Sequence, residues 1–198
     1  MTARPRLVVA SANPKKAAEI AEVLEGWDLV PRPADLPDVD ETEPDFLGNA
    51  RLKAVAVCEA TGTAALADDS GLEVDHLDGA PGVRSARFAG EPADDEANLR
   101  LLLERLAGVD DRRARFRSIV VVRFPDGAEI VTEGSVEGSI AVAPRGSGGF
   151  GYDPVFVPDE GDGRTFGEME PADKHAISHR GRALARLADE LDRRAGGA

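Results

Sequence analysis

Two adjacent aspartates, Asp68 and Asp69, close an apolar run in the stretch LADDSGLEVDHLDGAPGVRSARFAG. Carboxylates in such a place can bind a divalent cation or take a proton from water. Neighbouring side chains on a strand point to opposite faces, so at most one of the pair can look into a shared site unless the chain turns, and Ser70-Gly71 supplies such a turn. A strand rarely ends by burying two charges without partners. A second acidic set, Asp38, Asp40, Glu41 and Glu43, lies upstream. Hard oxygen ligands drawn from two places in a chain suit magnesium, which keeps several waters and bridges to substrate phosphates; the upstream acids also read as a solvated loop.

Three further stretches carry chemistry. SANPKK, residues 11–16, lies between an apolar strand and a helix start, where the helix dipole and backbone N–H groups favour a phosphate and Lys15 and Lys16 add charge. It lacks the glycine pattern of a P-loop and also reads as an ordinary Asn-Pro turn. RGSGGFGYDPVF, residues 145–156, has G-x-G-x-x-G spacing, but Pro154 and the Val-Phe-Val after it point to a strand where a dinucleotide fingerprint needs a helix. What remains is a glycine-rich loop with Phe150, Gly151, Tyr152 and Asp153, suited to stacking on a base and hydrogen-bonding its edge. KHAISHR places His175 and His179 four apart, but Ala176 stands where a zinc helix has its general-base glutamate. Lys174, His179 and Arg180 suit an anionic or carbonyl-rich ligand better than a soft metal.

The elements that must position these residues follow from hydrophobic periodicity. Leu7 to Ala10 reads as a strand, AAEIAEVLEGW as a helix with Ile20, Leu24 and Trp27 on one face, and a polar, proline-rich linker follows. A second helix is expected from about Phe46 to Ala60, then the strand ALADD, then an amphipathic helix over 94–107. RFRSIVVVRF and AEIVTEGSVEGSIAV flank the turn Pro125-Asp126-Gly127 and read as a hairpin, and one final helix is expected from about Lys174 to Arg194. The pattern predicts an α/β protein with a mixed sheet and a hairpin-rich second lobe, one domain over 1–198.

With one cysteine, Cys58, in an alanine- and valine-rich segment, no disulfide framework can form, and a reducing compartment is the natural inference. No run is long and apolar enough to span a bilayer and the amino terminus has no signal-peptide layout, so a cytoplasmic protein without a membrane partner is expected. A formal charge of −13, from 37 acidic and 24 basic residues, repels polyanions and excludes nonspecific nucleic-acid binding. A small phosphorylated ligand needs a local basic pocket or a cation to offset that field.

In this order, SANPKK, FLGNARLKA, LADDSGLEVDHLDGAPGVRSARFAG, GGFGYDPVF and KHAISHRGRAL resemble the pyrophosphatases of non-standard purine nucleoside triphosphates, the inosine triphosphatase or XTP/dITP diphosphatase family, over residues 11 to 184. The resemblance implies an elongated mixed sheet flanked by helices, two lobes with a central cleft, a homodimer, and magnesium-dependent hydrolysis of ITP, dITP or XTP to the monophosphate and pyrophosphate. It implies that Ser11, Ala12, Asn13, Pro14, Lys15 and Lys16 cradle the phosphates with Lys53 nearby. Asp69 would be general base and, with a linker acid, a magnesium ligand; spacing favours Asp40, with Glu41 the alternative, and Asp68 would support the geometry. Ser70 would touch the substrate, and Phe150, Gly151, Tyr152, Asp153, Lys174, His179 and Arg180 would enclose the base. Donors aimed at the purine 6-position accept an oxo group but meet the amino group of adenine donor to donor, which would reject ATP.

The chain departs from the family pattern at two places: Gly48 stands where an acidic residue usually precedes Asn-Ala, and the linker reads DVDETEPDF where a glutamate pair followed by Thr-Gly is usual. Two other readings fit the same residues: a related nucleotide pyrophosphatase with a different base preference, and a non-catalytic nucleotide-binding protein.

Overall fold

The structure, a computed structural model, describes residues 6–11 and 13–196. Six strands form one sheet in the order β2-β1-β3-β4-β5-β6: β1 (Arg6–Val9), β2 (Asp28–Pro31), β3 (Ala65–Val74), β4 (Arg113–Arg123), β5 (Glu129–Ile140) and β6 (Phe156–Pro158). β1 runs parallel to β2 and β3, and β6 runs antiparallel to β5. β4 and β5 are sheet neighbours joined only by residues 124–128, a connection too short for anything but an antiparallel return. The sheet is mixed and the protein is α/β, with helices α1 (Pro14–Val23), α2 (Phe46–Thr61), α3 (Asp95–Arg105), α4 (Pro171–Ile177) and α5 (His179–Gly196).

The chain divides into two compact units. One holds the described residues up to Asp69 with Ser118–Gly134 and Arg180 onward; the other holds Ser70–Arg117 and Ser135–His179. Each has its own core. In the first, Leu7, Ile20, Leu24, Leu66, Val120, Val122, Leu184, Leu187 and Leu191 pack together, and burying each large aliphatic side chain contributes roughly 1.5–3 kcal/mol. In the second, Phe116, Phe156 and Phe166 pack with Leu72, Leu102, Leu106 and Val155, and the Phe116 and Phe156 rings meet edge to face at 4.8 Å.

Three sequence expectations are corrected. β3 does not stop at Asp68-Asp69: it continues through Ser70-Gly71 to Val74 with no turn, because the long strand β4 lies beside it in the sheet and cationic side chains partner both carboxylates. The C-terminal helix is two helices, separated by Ser178 in an extended conformation (φ −71°, ψ 154°), so His175 and His179 do not share a helix. α1 starts earlier than its apolar face suggests, at Pro14, because Pro is pre-shaped for the first helical position and Asn13 caps it.

Candidate active site

The aspartate pair splits across the sheet. Asp68 Oδ2 accepts from Arg180 Nε at 3.2 Å and lies 3.2 Å from Lys16 Nζ, so it meets α1 and α5. Asp69 Oδ1 accepts from Lys53 Nζ at 3.1 Å, so it meets α2. Strand alternation points consecutive side chains apart, so the two carboxylates contact different partners, while Lys16 and Lys53 each act on both through space. Asp68 is 2% exposed and Asp69 6%, yet their environments act in opposite directions. Burial raises both; at Asp68 the Lys16 ammonium and the Arg180 guanidinium, with Lys53, outweigh it and hold the carboxyl well below the usual range. At Asp69 burial wins over Lys53 and Lys16, Glu41 adds to it, and the carboxyl is raised. Each aspartate keeps one buried oxygen, Asp68 Oδ1 and Asp69 Oδ2, with no hydrogen-bond partner.

Around them, Asn13 caps α1 with its side-chain oxygen, accepting from Lys15 N at 2.9 Å and Lys16 N at 3.3 Å, while Asn13 N donates to Ser11 Oγ at 3.3 Å. Pro14 has no N–H and Ala17 N donates to Asn13 O. The amides of the first turn therefore already have acceptors, and what α1 offers an anion is its dipole and the Lys16 ammonium. Lys53 Nζ also donates to Glu41 Oε1 at 2.9 Å. Burial would lower the Lys53 pKa, but Asp69, Asp68 and Glu41 together raise it, so the ammonium stays charged.

The second unit carries another cluster. Asp153 Oδ2 accepts from Lys174 Nζ at 2.8 Å and from Phe150 N at 2.7 Å, with Asp153 and Lys174 both buried. The Lys174 ammonium stands 5.1 Å from the centroid of the half-buried Phe150 ring. Gly149, at φ +72°, is where a side chain cannot stand: a Cβ there would lie 2.0 Å from Asp153 Oδ2. The His179 ring stacks on Phe116 at 4.8 Å. Tyr152 is 4% exposed within the core and donates its hydroxyl to Ser85 O at 2.9 Å; burial, with Asp95 nearby, pushes its phenol well above the ordinary value. Gly151 N donates to Asp95 Oδ2 at 3.0 Å.

Of the residues expected from sequence, the first unit gathers Lys16, Lys53, Asp68, Asp69 and Arg180, with Ser11, Asn13, Pro14 and Lys15 at the start of α1. Ala12 lies outside the described residues. Arg180, grouped by sequence with the base-enclosing set, is buried and bridges Asp68 to Glu19. The linker acid beside Lys53 and Asp69 is Glu41, while Asp40 is exposed. The second unit gathers Phe150, Asp153 and Lys174, and Tyr152 is in its core rather than open to stack on a base. Ser70, partly buried on β3, follows Asp69 directly. Sequence reasoning missed Glu19 and Asn49. Glu19 follows Lys16 by three residues and shares its helix face, a signal that depends on starting α1 at Pro14.

Among the described residues no three His, Cys, Asp or Glu side chains converge closely enough to ligate a metal. Magnesium does not require that: one or two carboxylates plus substrate phosphates commonly hold it. The unpartnered Asp69 Oδ2, an anionic oxygen buried beside Glu41, fits such a cation.

The family model described as the Ham1 family matches residues 7–190, and the chain belongs to that family. Among its relatives, the dITP/XTP pyrophosphatase of Caulobacter vibrioides is 50% identical over 186 residues, 92% of this chain and 95% of that protein. The protein of the same name from Streptomyces coelicolor is 48% identical over 92% of this chain and 94% of its own. Among solved structures, a HAM1 protein from Coxiella burnetii superposes with a TM-score of 0.88 at 40% identity, covering 96% of this chain and 99% of that one.

Proposed function

We propose that the protein hydrolyses the triphosphates of non-standard purine nucleosides, ITP, dITP and XTP, to the monophosphate and pyrophosphate, and so clears them from the nucleotide pool. Relatives named dITP/XTP pyrophosphatases at about half identity over nearly the whole chain support this reading. The observation that carries the chemistry is Asp69: a buried carboxylate with a raised pKa, one oxygen held by Lys53 and the other without a partner. Perturbed carboxylates of this kind mark sites where a proton is moved.

In the reaction, Asp69 takes the proton of a water that attacks the α-phosphorus, and pyrophosphate leaves. Lys16 and Lys53 neutralise the phosphates, and the α1 dipole adds to their field. Asp68, kept ionised by Lys16 and Arg180, holds those cations in place. Lys174, with Phe150 beside it, is a buried donor for a purine oxo group, and Asp153 keeps it oriented. Asp69, with Glu41 the better-placed linker acid and Asp68 behind it, would hold magnesium, which supplies charge neutralisation at the phosphates. Homodimerisation and a cytoplasmic location belong to the same reading; sedimentation of the purified chain checks the first.

The experiment is release of pyrophosphate and monophosphate from ITP, XTP, dITP, GTP and ATP, each with magnesium and with EDTA. Magnesium-dependent conversion of ITP or XTP, with GTP and ATP spared, is the expected result. Equal hydrolysis of ATP would overturn the base-side assignment, and binding of ITP without hydrolysis would leave a nucleotide-binding protein.

A further inference from the structure

The start of α2 has an unusual close approach. A Cβ on Gly48 would lie 2.5 Å from Glu43 Cβ, 2.7 Å from its Cγ and 3.2 Å from its Oε2. The obstruction is the root of the Glu43 side chain, so turning the tip away would not relieve it. The Glu43 backbone is also pinned: Glu43 N donates to Asn49 Oδ1 at 3.0 Å, and Asn49 Nδ2 donates to Glu43 O at 3.3 Å. Asn49 is 1% exposed and one turn before Lys53 on the same helix face. Two residues before Glu43, Glu41 meets Lys53. The linker therefore runs along α2, touching it at 48, 49 and 53.

We infer that Gly48 and Asn49 form a seat for Glu43, and that this seat positions Glu41 against Lys53 and beside Asp69. The Glu43 side chain lies in the space that a side chain at 48 would need. Neither residue touches the reacting atoms in this account; both act through Glu41. The functional part of this inference rests on the reaction under Proposed function.

The test is a cycle of Gly48→Glu, Glu43→Gly and the double variant. Each is measured for steady-state hydrolysis of XTP, for calorimetric binding of Mn2+ to the nucleotide-free protein, and for thermal unfolding. Gly48→Glu should lower kcat/KM roughly tenfold or more, chiefly through kcat, and weaken Mn2+ binding, while the double variant should recover most of both losses, as expected for coupled neighbours. Equal Mn2+ affinity in wild type and a folded Gly48→Glu, or a double variant no better than Gly48→Glu, would overturn the seat. If wild type leaves XTP intact, it is the reaction that fails; the Mn2+ and unfolding cycles still decide the seat, with additive effects overturning it.

Discussion

At the scale of single residues, the two aspartates are neighbours in sequence with opposite energetics. Asp68 is ionised by its partners, so its folded pKa lies below the unfolded value of about 3.9. Its stabilisation is present above that value and is lost as pH falls through the folded one. Asp69 has a raised folded pKa, so its contribution has the reverse sign: present below the unfolded value and lost as pH rises through the folded one. At neutral pH in EDTA, Asp68→Asn should therefore destabilise by about 3–5 kcal/mol, because Lys16 and Arg180 lose a buried counterion. Asp69→Asn should raise the urea midpoint while lowering kcat by roughly 10²–10⁴-fold, as expected for a general base. The Asp69 difference should vanish as pH falls below its raised folded value, whereas the Asp68 difference should decline only below about pH 3.9, as the unfolded chain takes up the proton that folded Asp68 still refuses. An Asp69→Asn protein that is less stable than wild type at pH 7 would contradict the assignment of Asp69 as a carboxylate held against its preference.

At the scale of elements, the loop 145–156 shows what its glycines are for. Gly149 stands where any side chain would collide with Asp153 Oδ2, the oxygen that holds both Lys174 and the Phe150 amide. Gly149→Ala should detach that carboxylate and raise KM for XTP by about tenfold to hundredfold, the equivalent of losing a charged hydrogen bond, with a smaller change in kcat. An unchanged KM would show that Asp153 has no part in holding substrate. Most of the elements were legible from periodicity: α2 begins at Phe46 as expected, and the strands on either side of Pro125-Asp126-Gly127 are β4 and β5. The four-residue β2, which ends in proline, carries too little pattern to be read. The break at Ser178 was hidden because the residues on both sides favour helix, and only the extended Ser178 backbone separates α4 from α5.

At the scale of the whole molecule, the boundary between the two compact units cuts β3 after Asp69, β4 before Ser118 and β5 after Gly134. Each of these three strands contributes residues to both cores. The chain carries one probe in each core: Trp27, its single tryptophan, in the first and Tyr152, its single tyrosine, in the second. Urea unfolding followed by Trp27 fluorescence and by the near-ultraviolet signal of Tyr152 should give coincident transitions, as for one cooperative domain. Separate midpoints would mean that the units unfold independently.

The sequence by itself determined the family, the α/β class and the stretches that bear chemistry, because motif order, hydrophobic period and turn residues are local properties of the chain. Tertiary structure alone decided how those residues pair. Arg180 meets Asp68 across 112 positions, Lys53 selects Glu41 over Asp40, and the linker packs on a helix that only a glycine at 48 leaves accessible. Tyr152, an inviting stacking residue in sequence, lies in the core with its hydroxyl donated to Ser85 O. The physical reason is common to all of these: a side chain's partner depends on which face of a strand or helix it occupies and on what the fold brings opposite, and neither is written in its neighbours along the chain.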